Sequence, residues 1–335
     1  MKKQIIAAAV AASVSAVAMA DISITGDAKY EYLYTDKSDG TTLNEANTEM
    51  HINIAGKKGD TGVVIKTEID THGDGNQLDI EDNYITTKVG DINVKAGNYA
   101  SGTSGLLGEI DEGGRATNKV TLDTTIGGVK VYAGNTGRAG TGTNHATAAT
   151  REGMVNLQED MFAGVVFNVA GNTVEFKKNS STVDSMGIKG SMGGIDYRVE
   201  QKNDSPANGD TTFYQVGTTV NGISISYAAI DSDKAGQIKE TDSAIFAKEA
   251  GNLTGSTDDG TSQVTVATTM DGNKVTVKAG TIDNAFGANK DQDWTQVIVS
   301  RPLASGATAT ITYTDADTSA TADATTFEAE LAVSF

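Results

Sequence analysis

Few residues in this chain have the types and spacing that chemistry requires. There are three histidines, His51, His72 and His145, and no cysteine. Thiolate chemistry, disulfide staples and cysteine-based metal sites are therefore excluded. A hydrolase needs a nucleophile, a base and a third group that orients the base. Neither a Gly-x-Ser-x-Gly elbow nor a His-Glu-x-x-His signature is present. A lipase-like pairing of a serine with His51 is the one enzymatic alternative the residues leave. The run His72-Gly73-Asp74-Gly75-Asn76-Gln77-Leu78-Asp79 loosely follows a calcium loop. It lacks the regular oxygen positions and the closing bidentate Glu of that motif. Gly102-Thr103-Ser104-Gly105 has no Lys-Ser/Thr after it, so a loop without a phosphate-binding role is expected there. The expectation is a protein with no catalytic residues and no cofactor, which is not an enzyme.

What the residues can do is set an electric field. Glu109, Asp111 and Glu112, with Arg115 as the single base, lie in the polar segment 100–116. Carboxylates in a narrow passage raise the local concentration of cations without making or breaking bonds. The formal net charge is −18. Such an acidic chain is a poor partner for nucleic acid.

Those charges must be held by strands. Val63-Val64-Ile65-Lys66-Thr67-Glu68-Ile69-Asp70 alternates with period two, the spacing of a strand whose faces meet different surroundings. Ile195–Glu200 and Lys274–Ala279 repeat the pattern, and no comparable run at helical spacing follows residue 20. By parity, Lys29, Glu31, His51, Lys66, Glu68, Asp70, Lys95 and Lys130 fall on the polar face. Two prolines in 335 residues suit a chain whose backbone amides are nearly all paired in ladders.

The chain opens with Lys2 and Lys3, an apolar stretch from Ile5 to Val17 and Ala18-Met19-Ala20. That is the pattern of a cleaved export signal over 1–20, leaving one domain over 21–335. Nothing after Asp21 approaches the roughly 20 apolar residues of a membrane helix. Tight turns recur at Lys58-Gly59-Asp60, Gly90-Asp91, Gly127-Gly128, Ala170-Gly171-Asn172, Gly193-Gly194, Asn221-Gly222, Asp271-Gly272-Asn273 and Ala304-Ser305-Gly306. Longer polar segments lie between them: 36–46, 72–80, 100–116, 136–151, 203–210, 232–260, 284–291 and 316–323, with 179–184 shorter. Turns on one rim and loops on the other describe a transmembrane barrel. Eight tight turns join sixteen strands into hairpins, and the first and last strands make eighteen; sixteen to eighteen is the expected range. Tyr30, Tyr32, Tyr34, Tyr84, Phe213, Tyr214, Tyr227, Trp294, Tyr313 and Phe335 are candidates for interfacial girdles. No aromatic row is evident from the sequence.

In the last strand, Phe327, Ala329, Leu331, Val333 and Phe335 alternate with Glu328, Glu330, Ala332 and Ser334. This resembles the signal read by the outer-membrane insertion machinery, carried by Phe327, Leu331, Val333 and Phe335. With Asp21–Tyr34 and Asp82–Asn98, it makes the chain similar to the general porins of Gram-negative bacteria. The resemblance implies an all-β transmembrane antiparallel barrel, a homotrimer, and a third loop folded inward to narrow the pore. That loop would be 100–116. Two departures stand out: Asn98 sits where an Arg commonly follows the glycine, and the loop lacks the usual Pro-Glu-Phe-Gly-like turn. Implied partners are small hydrophilic solutes and ions, outer-membrane lipids and lipopolysaccharide, with divalent cations at acidic external loops. The expected activity is passive, cation-preferring diffusion. A substrate-specific channel of the same architecture is the alternative. A surface adhesin or structural barrel acting through its longest loop, 232–260, is a third reading.

Overall fold

The computed structural model describes residues 21–38, 40–70, 77–101, 106–107, 113–135, 138–139, 161–179, 183–203, 209–233, 260–283, 291–319 and 322–335. The export signal expected over 1–20, His72, His145 and most of the 232–260 segment lie outside these residues.

Every regular element described is a strand. In chain order they are β1 (Asp21–Lys37), β2 (Thr42–Lys58), β3 (Thr61–Asp70), β4 (Gln77–Val89), β5 (Ile92–Ser101), β6 (Gly113–Ile126) and β7 (Val129–Asn135). A two-residue strand, β8 (Arg138–Ala139), follows. Then come β9 (Met161–Val169), β10 (Asn172–Asn179), β11 (Asp184–Met192), β12 (Ile195–Asn203), β13 (Thr211–Val220) and β14 (Ile223–Ser232). The last five are β15 (Gly260–Met270), β16 (Asn273–Asp283), β17 (Gln292–Pro302), β18 (Ala307–Ser319) and β19 (Ala322–Ser334).

Each strand pairs antiparallel with its neighbours in sequence, except that β7 pairs past β8 with β9 while β8 pairs back onto β6. The ring closes where β1 meets β19, with Asp27 opposite Ser334 and Lys37 opposite Ala324. Phe335 and Gly26 exchange both backbone hydrogen bonds at 2.9 Å beyond the end of that ladder. With β8 set aside as an accessory segment, the wall has eighteen strands, the number given by the turns in the sequence. Barrels of 16–18 strands leave an aqueous lumen that side chains do not fill.

Local chemistry dictates the tight turns. Asn221–Gly222 and Asp271–Gly272 both carry positive φ at the two central positions, as the two-residue hairpin loop that matches strand twist requires. At Ala170 the chain holds a Cβ-bearing residue at φ 49°, a conformation that is uncommon without glycine or asparagine.

Alternation sorts the two faces. Ile22, Ile24, Val63, Ile65, Ile195, Val199, Val264, Val266, Leu331 and Val333 all point outward and are exposed. The intervening side chains point inward. The outer face is therefore an apolar band on a closed wall with no free edge, the arrangement that satisfies every backbone group in hydrocarbon.

The ladders run further than the polar segments suggest. Pairing continues from Tyr99↔Ala116 to Ser101↔Gly113, so residues 113–116 belong to β6 and Arg115 is a strand residue, not a loop residue. Likewise β1 and β2 shorten the 36–46 segment to residues 38–41, and β18 and β19 reduce 316–323 to residues 320–321. Backbone pairing overrides composition here, because the ladder hydrogen bonds are made by main-chain groups that polar residues carry as well as apolar ones.

Candidate functional site

The interior wall has sectors of distinct character. The first spans β19 and β1–β3 and is rich in carboxylates. Asp27, Lys29 and Glu31 of β1 face Glu49 and His51 of β2, while Glu68 and Asp70 continue the row on β3. The Lys29 ammonium lies 2.9 Å from Glu49 and 3.0 Å from Glu31. The two ring nitrogens of His51 are each 3.1 Å from a carboxylate, Nδ1 from Asp27 and Nε2 from Glu49. Glu330 stands opposite Glu31 and Glu328 opposite Leu33 across the closing seam. Lys66 reaches Asp82 of β4 at 3.6 Å.

Aromatic rings alternate with ammonium groups in the second sector. The Lys95 Nζ sits 3.9 Å from the centre of the Tyr84 ring and 4.0 Å from that of Tyr99. Lys119 approaches Tyr99 at 5.0 Å and Phe162 at 5.9 Å, and Lys177 approaches Phe162 at 5.2 Å. Cations over ring faces at these distances are attracted by the ring quadrupole, more strongly where water is excluded. Beside this row the buried Tyr132 donates its hydroxyl proton to the buried Glu175 at 2.5 Å. Lys130 lies two residues before Tyr132 on the same face of β7.

Glu109, Asp111 and Glu112 lie outside the described residues, as does the side chain of Arg115. Two members of the third loop, Leu106 and Leu107, are described, and both are buried. They stand against the far wall. Leu107 packs with Phe213 of β13 and with Ala228 and Ile230 of β14, which form one buried cluster. Gly187 of β11 leaves room for both leucines: a Cβ there would come within 2.9 Å of Leu107 and 3.0 Å of Leu106. The Leu106 carbonyl accepts two hydrogen bonds from Arg198 of β12, from Nε at 3.2 Å and Nη2 at 2.9 Å. Arg198 also pairs with the fully buried Glu200 and lies 5.4 Å from the Phe213 ring centre. A segment that leaves β5 is thus fastened to β11–β14 inside the barrel.

This apolar dock was missed in the sequence. Its signal was present, since an adjacent pair of leucines is out of place in a loop of Gly, Ser, Thr and Glu. The aromatic row was missed too, and three girdle candidates belong inside. Tyr84 faces Lys95, Phe213 lies beneath Leu107, and the buried Trp294 shares the inward face with Gln296, opposite Ala316 and Thr314. For Tyr84 a register irregularity near Lys66 and Thr67, where Asp82 and Ile80 are consecutive partners, reverses the parity counted from Leu78. Tyr30, Tyr32, Tyr34, Tyr214, Tyr227, Tyr313 and Phe335 do lie on the exposed outer surface. The wall residues expected by parity, Lys29, Glu31, His51, Lys66, Glu68, Asp70, Lys95 and Lys130, occupy the face opposite the exposed aliphatic residues.

No protein-family model matches the sequence, and no curated protein matches it either. Solved structures do match its fold. The outer membrane protein OpdK of Pseudomonas aeruginosa superposes with a TM-score of 0.63 at 12% identity, over 93% of this chain and 98% of that one. OpdL of the same organism gives 0.65 at 10% identity, over 94% and 99%. OccK2 (OpdF), solved in complex with glucuronate, gives 0.62 at 12% identity, over 94% and 97%. At such identities the likeness is one of architecture, and by architecture this chain is a closed eighteen-stranded antiparallel barrel of the kind formed by the outer membrane protein OpdK.

Proposed function

We propose that the protein is an outer-membrane channel through which small hydrophilic solutes and ions diffuse passively. One observation carries this reading: a closed barrel, apolar outside and charged inside, has a chain segment pinned across its interior by Leu106, Leu107 and Arg198. A structural barrel or adhesin does not need an internal constriction. In this reading Glu109, Asp111 and Glu112, which follow the pinned leucines in sequence, act on the permeation path. Together with the acidic sector on β19 and β1–β3, they favour cations. In this reading the chain is exported with loss of residues 1–20 and assembles as a homotrimer. Phe327, Leu331, Val333 and Phe335 guide its insertion, and acidic external loops bridge to lipopolysaccharide through divalent cations.

A second reading has a specific observation in its favour. The row Tyr84, Lys95, Tyr99, Lys119, Phe162 and Lys177 offers ring faces and ammonium groups to a small carboxylate. OpdK and OccK2, which share the fold, were solved with vanillate and glucuronate, both carboxylates. On this reading the channel is selective for such solutes. Planar bilayers decide between them. Cation-selective reversal potentials in a KCl gradient, with non-saturating glucuronate flux, support the diffusion channel. Anion selectivity with saturable glucuronate flux supports the carboxylate channel, and the absence of conductance steps overturns both.

A further inference from the structure

We propose that Glu49, His51 and Glu68 form a binding site for a divalent transition metal of the zinc class on the interior wall. The three side chains each present a ligand atom, and these atoms all lie within 4.8 Å of one another. Register places them together: Asp27, His51 and Glu68 stand directly across three adjacent strands, with Glu49 two residues before His51 on the same face.

The imidazole separates this group from an ordinary patch of carboxylates. Its Nδ1 lies 3.1 Å from Asp27 and its Nε2 3.1 Å from Glu49. A neutral imidazole has one N–H, so only one of these contacts can be a hydrogen bond. The other sets a nitrogen lone pair against a carboxylate oxygen, which requires a positive charge between them, either a second proton or a metal ion. With Asp27 accepting from Nδ1–H, the free Nε2 lone pair is directed at Glu49, the carboxylate–histidine arrangement that orients metal-binding imidazoles. Tetrahedral zinc with nitrogen and carboxylate ligands at about 2.0–2.2 Å holds its ligand atoms roughly 3.3 Å apart. The His51–Glu49 contact of 3.1 Å already has that spacing, and a rotamer adjustment at Glu68 completes three ligands. His51 and Glu49 are both partly exposed to the lumen, which leaves a fourth position for water. A nitrogen ligand selects zinc, cobalt or nickel over calcium, which takes six to eight oxygens.

The site rests on the inward orientation of this wall and does not require the barrel to conduct. The test uses the full barrel refolded in detergent, with folding checked first by heat-modifiable migration on a gel. Zinc is titrated calorimetrically, and cobalt(II) is followed by its visible absorption. One zinc per chain is expected, weakened more than about tenfold by His51→Ala or Glu68→Gln and 10–100-fold by Asp27→Asn. Asp123→Asn, on β6 away from this sector, leaves affinity unchanged. If His51→Ala does not assemble, His51→Asn replaces it. Absence of zinc binding, binding indifferent to both His51 variants, or calcium bound as tightly as zinc would overturn the proposal. A barrel that takes up cobalt but passes no current would refute the channel and leave this site standing.

Discussion

Removing one side chain from the internal dock should loosen the constriction without weakening the barrel. Leu107 is 6% exposed and packs on Phe213, Ala228 and Ile230, which belong to the far wall. Truncating a buried leucine to alanine costs about 2.7–5 kcal/mol where the surroundings do not collapse. Here the wall cannot collapse, because its strands are fixed by ladder hydrogen bonds. A loss of about 3 kcal/mol multiplies the ratio of undocked to docked segment by roughly a hundredfold. The Arg198 hydrogen bonds to Leu106 remain, so the segment should exchange between states instead of leaving permanently. In planar bilayers Leu107→Ala is expected to show larger mean conductance and added current noise, with unchanged thermal stability of the barrel on a heat-modifiable gel. Gly187→Leu attacks the same contact from the wall, since its side chain would occupy the space of Leu106 and Leu107. Both variants should shift conductance in the same direction. If both conduct like the parent, residues 106–107 do not control the path and the reasoning fails.

Other outcomes follow from the same geometry. Glu109→Gln combined with Asp111→Asn should move the reversal potential in a KCl gradient away from cations; an unchanged potential would remove these residues from the constriction. Lys95→Gln, which takes away an ammonium held between two tyrosine rings, should move it the opposite way and slow glucuronate entry in liposome swelling. Gly97 sits at φ 141° with the Asn83 carbonyl 2.2 Å from where a Cβ would be, so Gly97→Ala should block assembly, seen as loss of the fast-migrating form on a gel. The single tryptophan, Trp294, faces the lumen and is 4% exposed, so brominated lipid should leave its fluorescence unquenched. Strong quenching would place it at the membrane interface.

The wall was largely legible in the sequence because its physics is local. Turns such as Asn221-Gly222 are determined by the φ values two residues must adopt, and alternation such as Val63–Asp70 follows from the pleat. Eighteen strands could therefore be counted by counting turns. The interior was much less legible, because it is made by residues far apart in sequence. Leu107 and Ile230 meet only because a loop crosses the barrel. The Tyr84–Lys95–Tyr99 sandwich depends on register, and the irregularities near Lys66 and Gly97 alter the parity on which any face assignment rests.

The seam between β1 and β19 has a consequence for how the molecule is made. Asp27 pairs with Ser334, so the first hairpin and the last share a ladder that nothing between them can supply. Until that ladder forms, any partly assembled sheet has two raw edges, each able to recruit a strand from a neighbouring chain. Closing it brings together positions separated by nearly the whole polypeptide, a slow step with a large entropic cost. The unclosed barrel is therefore exposed to mispairing until this seam forms, and a lesion at Gly26 or Phe335, which tie the two ends together, is expected to show first as failed assembly.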